Sequence, residues 1–111
     1  MKKRIELHQL LVELLRPFVS DETYPAEKRV YFQPPATIKM HYPCIRYSLA
    51  GDAPVYADNT RYAGMRRYTV MVIDRNPDSE IPDEVIKMPY CKLDRVYTAD
   101  NLNHYTFDLY F

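Results

Sequence analysis

Five carboxylates fall close together in one stretch of the chain, Asp74, Asp78, Glu80, Asp83 and Glu84. Oxygen ligands gathered in this way are what a magnesium-dependent nuclease or hydrolase uses to hold its ion. The same stretch also reads as a turn, Asn76-Pro77-Asp78-Ser79, opening a short helix. Asp78 and Asp83 would then meet the helix N-terminus, where negative charge is favoured, and the spacing is explained without an ion. His8, His41 and His104 fall on an expected helix, loop and strand, so they form a metal site only if the fold gathers them. Cys44 and Cys91 sit among apolar residues without CxxC spacing, which predicts free thiols in the core over a disulfide or a metal pair. With Gly51 and Gly64 the only glycines, neither GxGxxG nor a Walker loop can be built, and HExxH and GxSxG are absent as well. The sequence therefore assigns no catalytic residue, no metal ligand and no cofactor.

Two further segments suit contact better than reaction. Arg66-Arg67-Tyr68 pairs basic and aromatic groups, but adjacent strand residues point to opposite faces, so the arginines do not form one patch. A surface ion pair or a subunit contact is the expectation for both. The stretch 55–65 has no regular period and carries Tyr56, Asp58, Asn59, Arg61 and Tyr62. A loop of that length inside a small domain is uncommon unless it binds something or is mobile. Tyr and Arg are also the types that dominate interface energetics. Tyr56, Asp58, Asn59, Arg61, Tyr62, Arg66 and Arg67 are accordingly the candidate interface residues. A loop folded back on its own tyrosines is the alternative.

These segments need elements to position them, and composition limits the choice. The chain has 111 residues, 47% of them hydrophobic and 27% charged, which fits one globular domain with one modest core. Fifteen basic residues balance fifteen acidic ones, so no long-range field draws nucleic acid to the surface as a whole. Eleven tyrosines cannot all be buried with satisfied hydroxyls, which leaves a Tyr-rich surface suited to protein contacts. The basic start, Met1 to Arg4, is followed by a run that Glu6, His8, Gln9 and Glu13 interrupt, unlike a signal peptide. No stretch approaches the ~20 apolar residues that span a bilayer. The expectation is a soluble protein made in the cytoplasm, with no membrane partner.

Leu7, Leu11, Leu14 and Phe18 recur at helical spacing over 5–16, with Leu10 and Leu15 widening the stripe and Pro17 ending it. Short β-type runs follow at 30–33 and 44–49, the second alternating Ile45, Tyr47 and Leu49 against Cys44, Arg46 and Ser48. Residues 66–74 are apolar on both faces, as a central strand would be. A short helix with Ile81, Val85 and Met88 on one face is expected to follow an N-cap at Ser79 or Asp78 and to run through about Met88. Strands over 91–98 and 104–111, joined by a turn at Asp100-Asn101, form an antiparallel hairpin with Leu93 and Val96 directed to the core. The order α, β, β, loop, β, α, β, β predicts a single α+β domain over 1–111. Its N-terminal helix and short second helix would pack on a mostly antiparallel, mixed sheet of four to five strands.

Several segments together resemble a known group. Tyr42-Pro43-Cys44-Ile45-Arg46-Tyr47, Ala57-Asp58-Asn59, Arg67-Tyr68-Thr69-Val70, Asp94-Arg95-Val96-Tyr97 and Asp100-Asn101-Leu102-Asn103-His104 are similar to the tail terminators of long-tailed phages. These are small tail-completion, or head–tail joining, proteins, and the likeness extends in element order over 5–111. The resemblance implies a non-enzymatic virion-assembly protein that closes into a hexameric ring. Such a ring caps the tail tube, stops its polymerisation and meets the head–tail connector at the neck, with DNA passing through its lumen. Its implied partners are further copies of itself, the tail tube protein and the connector protein. The implied location is the tail–neck junction of a siphophage virion, after assembly in the host cytoplasm. Another neck component, a stopper or an adaptor, is the second possibility. A small metal-dependent enzyme using the carboxylates near Asp74–Glu84 is a third, of a different class.

Overall fold

The computed structural model describes residues 4–52 and 65–111. Its elements run α1 (Arg4–Leu15), β1 (Val30–Phe32), β2 (Cys44–Asp52), β3 (Arg66–Asp74), α2 (Ile81–Val85), β4 (Cys91–Ala99) and β5 (Leu102–Tyr110). Single 3-10 turns at Arg16–Phe18 and Ala26–Lys28 lead from α1 to β1. The five strands form one mixed sheet in the order β1-β2-β3-β5-β4. Only β1 and β2 pair in parallel, and every other neighbour is antiparallel. The domain is α+β, with two helices on a mixed sheet.

The core lies between the helices and one face of that sheet. Register places Ile45, Tyr47, Val70, Val72, Phe107 and Leu109 on this face, and all are buried. Leu7, Leu11, Val12 and Leu15 of α1 and Ile81 and Val85 of α2 close over them. On α1 the contacting stripe is therefore Leu7, Leu11 and Leu15 at four-residue steps, widened by Val12. Leu14 and Phe18 only border it, and Leu10, expected within it, is 49% exposed. On the sheet's other face Thr69 and Met71 are half-buried, while Cys44 and Ile73 are buried where β2 and β3 pair.

Local chemistry sets the turns. Asp100 and Asn101 both have positive φ, 54° and 61°, as the centre of a two-residue hairpin loop requires. Asp and Asn tolerate that region, so the expected hairpin closes there, with β5 beginning at Leu102. β2 runs beyond the expected 44–49, as far as Asp52. The strand continues through an irregularity between Leu49 and Gly51, where Gly51 takes a φ of 145° that other residues avoid. α2 begins two residues after Ser79 and ends three residues before Met88. Ser79 Oγ accepts the Ile81 N–H at 3.3 Å, and Met88 follows α2 as a partly buried neighbour of the core.

Arg29 ties the irregular stretch before β2 to the sheet. It is only 6% exposed, and it donates to the carbonyls of Tyr24 at 2.5 Å and Tyr42 at 2.9 Å. It also pairs with Asp21 Oδ2 at 3.1 Å. A buried guanidinium surrounded by acceptors is the arrangement that makes burying its charge tolerable.

Candidate interaction surface

Of the seven candidate interface residues, Tyr56, Asp58, Asn59, Arg61 and Tyr62 lie outside the described residues. Arg66 and Arg67 open β3, and both are exposed. Arg66 exchanges two backbone hydrogen bonds with Phe111, at 2.9 and 3.0 Å. Arg67 pairs with Tyr110 in the ladder and donates from Nη2 to the Ala50 carbonyl at 3.3 Å. Consecutive strand positions put them on opposite faces, as expected.

The reactive residue types are dispersed. Asp74 is buried at the end of β3 and accepts the Asn76 N–H at 3.1 Å, while Asn76 Oδ1 accepts the Asp78 N–H at 3.0 Å. These side chains hold the turn. With Phe18, Pro43, Ser79 and Glu80 they line an open cavity of about 340 Å³. Among the described residues no three His, Cys, Asp or Glu side chains are placed to hold a metal ion.

The histidines stay apart, each against an aromatic ring. His41 stacks on Tyr24 with centroids 3.5 Å apart, and His104 on Tyr97 at 4.6 Å. His8 lies within hydrogen-bond distance of the Tyr47 hydroxyl. Burial, with the Arg4 charge second, lowers the His8 pKa, and burial raises that of Tyr47. Both cysteines are free thiols on opposite faces of the sheet, Cys44 beside Ile73 and Cys91 beside Leu109. Burial pushes Cys44 up to about 12 and Cys91 up to about 11, so neither is poised as a thiolate.

Among the described residues the sheet has two edges, the three-residue β1 and the longer β4. Among the described residues β4 has a neighbour on one side only, β5, and it is nine residues long. Leu93 and Val96, expected in the core, are 44% and 54% exposed. Their cross-strand partners Phe107 and Tyr105 belong to the helix-bearing face, but the helices do not reach this far across the sheet. Leu93 and Val96 are three apart and share a face only because Asp94 is an extra residue between Leu93↔Phe107 and Arg95↔Thr106. Sequence reasoning missed both the bulge and the missing cover. The signal available was the charge pair Asp94-Arg95 interrupting the strand's alternation.

A second surface lies along the outer side of α1. A groove of about 760 Å³ runs there, lined by Glu6, Leu10, Glu13, Arg16, Glu27 and Phe111 among others. Arg16 bridges Glu13 at 2.9 Å and also Glu27. Leu10 supplies the main exposed apolar surface on this helix besides Ile5.

No protein-family model, curated protein or solved structure matches the chain.

Proposed function

We propose that this chain is a structural subunit of a phage virion, a tail terminator. It would assemble as a hexameric ring on the last ring of the tail tube, stop tube growth and present its other side to the head–tail connector. It would act by shape, without making or breaking covalent bonds. The reading rests on the resemblance carried by the segments around Tyr42–Tyr47, Arg67–Val70, Asp94–Tyr97 and Asp100–His104.

The observation that weighs most for it is the uncovered apolar surface on a domain this small. Leu49 on β2, Ile86 just after α2 and Leu10 on α1 lie on different elements, and all are exposed. A ring subunit needs more than one contact surface, because a head-to-tail contact joins two different patches. Balanced charge leaves such contacts without net repulsion between copies.

Tail tubes assembled with and without the purified protein, and measured by negative-stain electron microscopy, test the reading. Tubes that stop at a capped end carrying a ring of this chain are expected. Tubes that grow to the same length distribution with no cap overturn it. Labelled protein found in virions at another layer of the neck would transfer the assignment to a stopper or adaptor.

A further inference from the structure

We propose that β4 is a two-fold dimerisation edge, on which the β4 strand of a second copy adds antiparallel and extends the sheet across the pair. The inference does not rest on the ring reading, since a two-fold contact uses the same patch on both copies and cannot by itself run around a ring.

Backbone geometry is the first support. Tyr110 donates its N–H to the Tyr90 carbonyl at 3.1 Å, which makes Tyr90 and Tyr110 a bonded pair of the β4–β5 ladder. Bonded and non-bonded pairs alternate in an antiparallel ladder, so the polar groups of Cys91 and Leu93 point away from β5. At the other end the two-residue turn makes Ala99 and Leu102 the closing bonded pair. Alternation from there directs the groups of Val96 and Thr98 outward. The bulge at Asp94 reconciles the two halves.

Cys91, Leu93, Val96 and Thr98 are thus the outward-facing residues, and they lie symmetrically about the Asp94–Arg95 peptide bond. A two-fold axis there sets Leu93 opposite the second copy's Val96 and Cys91 opposite its Thr98. Each is a pair of outward-facing residues able to exchange both backbone hydrogen bonds.

Side chains give an independent support. In this register Leu93 and the second copy's Val96 lie on the same, helix-bearing face, and each would cover the other's exposed surface. At the axis Asp94 stands opposite the second copy's Arg95, and Arg95 opposite its Asp94, two opposite-charge pairs related by symmetry. A bulge on an edge ordinarily blunts pairing. Here it is what puts Leu93 and Val96 on one face, and a copy bulged at the same place matches it.

Sedimentation velocity and native mass spectrometry of the full chain test the proposal. The free protein is expected at twice its 13.2 kDa chain mass. Arg95→Asp alone and Asp94→Arg alone set like charges opposite each other and should raise the dimer Kd by about tenfold or more. The double exchange D94R/R95D restores it. Val96→Pro removes an outward N–H without touching the β5 ladder, and it should abolish the dimer while leaving the near-ultraviolet circular dichroism unchanged. Should Val96→Pro fail to fold, the charge exchange carries the test. A monomer across the accessible concentration range overturns the proposal. So does a multimer indifferent to both single reversals. The tube-capping assay reads the ring separately, so either idea can fail without the other.

Discussion

The Tyr47 hydroxyl lies 2.6 Å from Nδ1 of His8. It also accepts a hydrogen bond from Arg4 Nη1 at 3.1 Å, so its own proton is free to go to His8, and neutral imidazole is the acceptor. Tyr47 is almost fully buried, with its ring against Phe32 and Tyr68. One contact between α1 and β2 therefore depends on the protonation of a histidine.

The sign of the pH effect follows. Burial and then Arg4 lower the His8 pKa below its ordinary 6.5. The unfolded chain then binds the proton more readily than the folded one, so this contribution is complete above pH 6.5 and is lost as pH falls through the folded value. Thermal melts at pH 7.5 and pH 5.5 should show a fall in Tm that is smaller in His8→Gln. Equal falls in the two proteins would remove His8 as the cause.

The helix stripe gives a paired prediction. Leu11 is fully buried and Leu10 half-exposed, although the two are adjacent. Leu11→Ala should cost about 2–5 kcal/mol, the usual range for a core leucine. Leu10→Ala should cost within about 1 kcal/mol. Urea denaturation of both variants decides it, and similar losses would mean the stripe is wrongly placed.

Arg29→Ala should destabilise by about 2–4 kcal/mol, because it leaves the Tyr24 and Tyr42 carbonyls without their donor. Asp21→Asn should do less. The backbone N–H groups of Thr23 and Tyr24 still find an acceptor in the amide oxygen. Chemical denaturation of the two variants tests the order, which should not reverse.

Thiol labelling at pH 8 should be slow for both cysteines in the folded protein, since burial holds each well above the ordinary thiol range. The half-buried Cys91 should react before the buried Cys44. Labelling followed by peptide mass spectrometry gives the order. Rapid modification of Cys44 without unfolding would show that β2 is less covered than described.

Most of the architecture was legible because it is written in local periods. The alternation of Tyr68, Val70 and Val72, the prolines and the Asp100-Asn101 turn each act within a few residues. What failed was the choice among several apolar residues on one element. α1 carries leucines on more than one side, and only the position of the sheet decides that Leu7, Leu11 and Leu15 face it. Leu93 and Val96 obey a pattern that elsewhere means core, yet they sit on the strand the helices do not reach. An edge is a property of the whole sheet, and no window of sequence around β4 contains it. Tyr56, Asp58, Asn59, Arg61 and Tyr62 lie outside the described residues, and Arg66 and Arg67 are exposed.

The two-residue link between β4 and β5 also bears on how the chain acquires its shape. Strands joined so closely meet after a short search, and hairpins of this kind close within about 1–10 μs. The β1–β2 pair is different, since eleven residues separate its strands and the two run in the same direction. Its partners must be brought together against a larger loss of chain freedom. The C-terminal hairpin therefore closes the smaller loop, and the parallel β1–β2 pair closes the larger one at a greater cost in chain entropy.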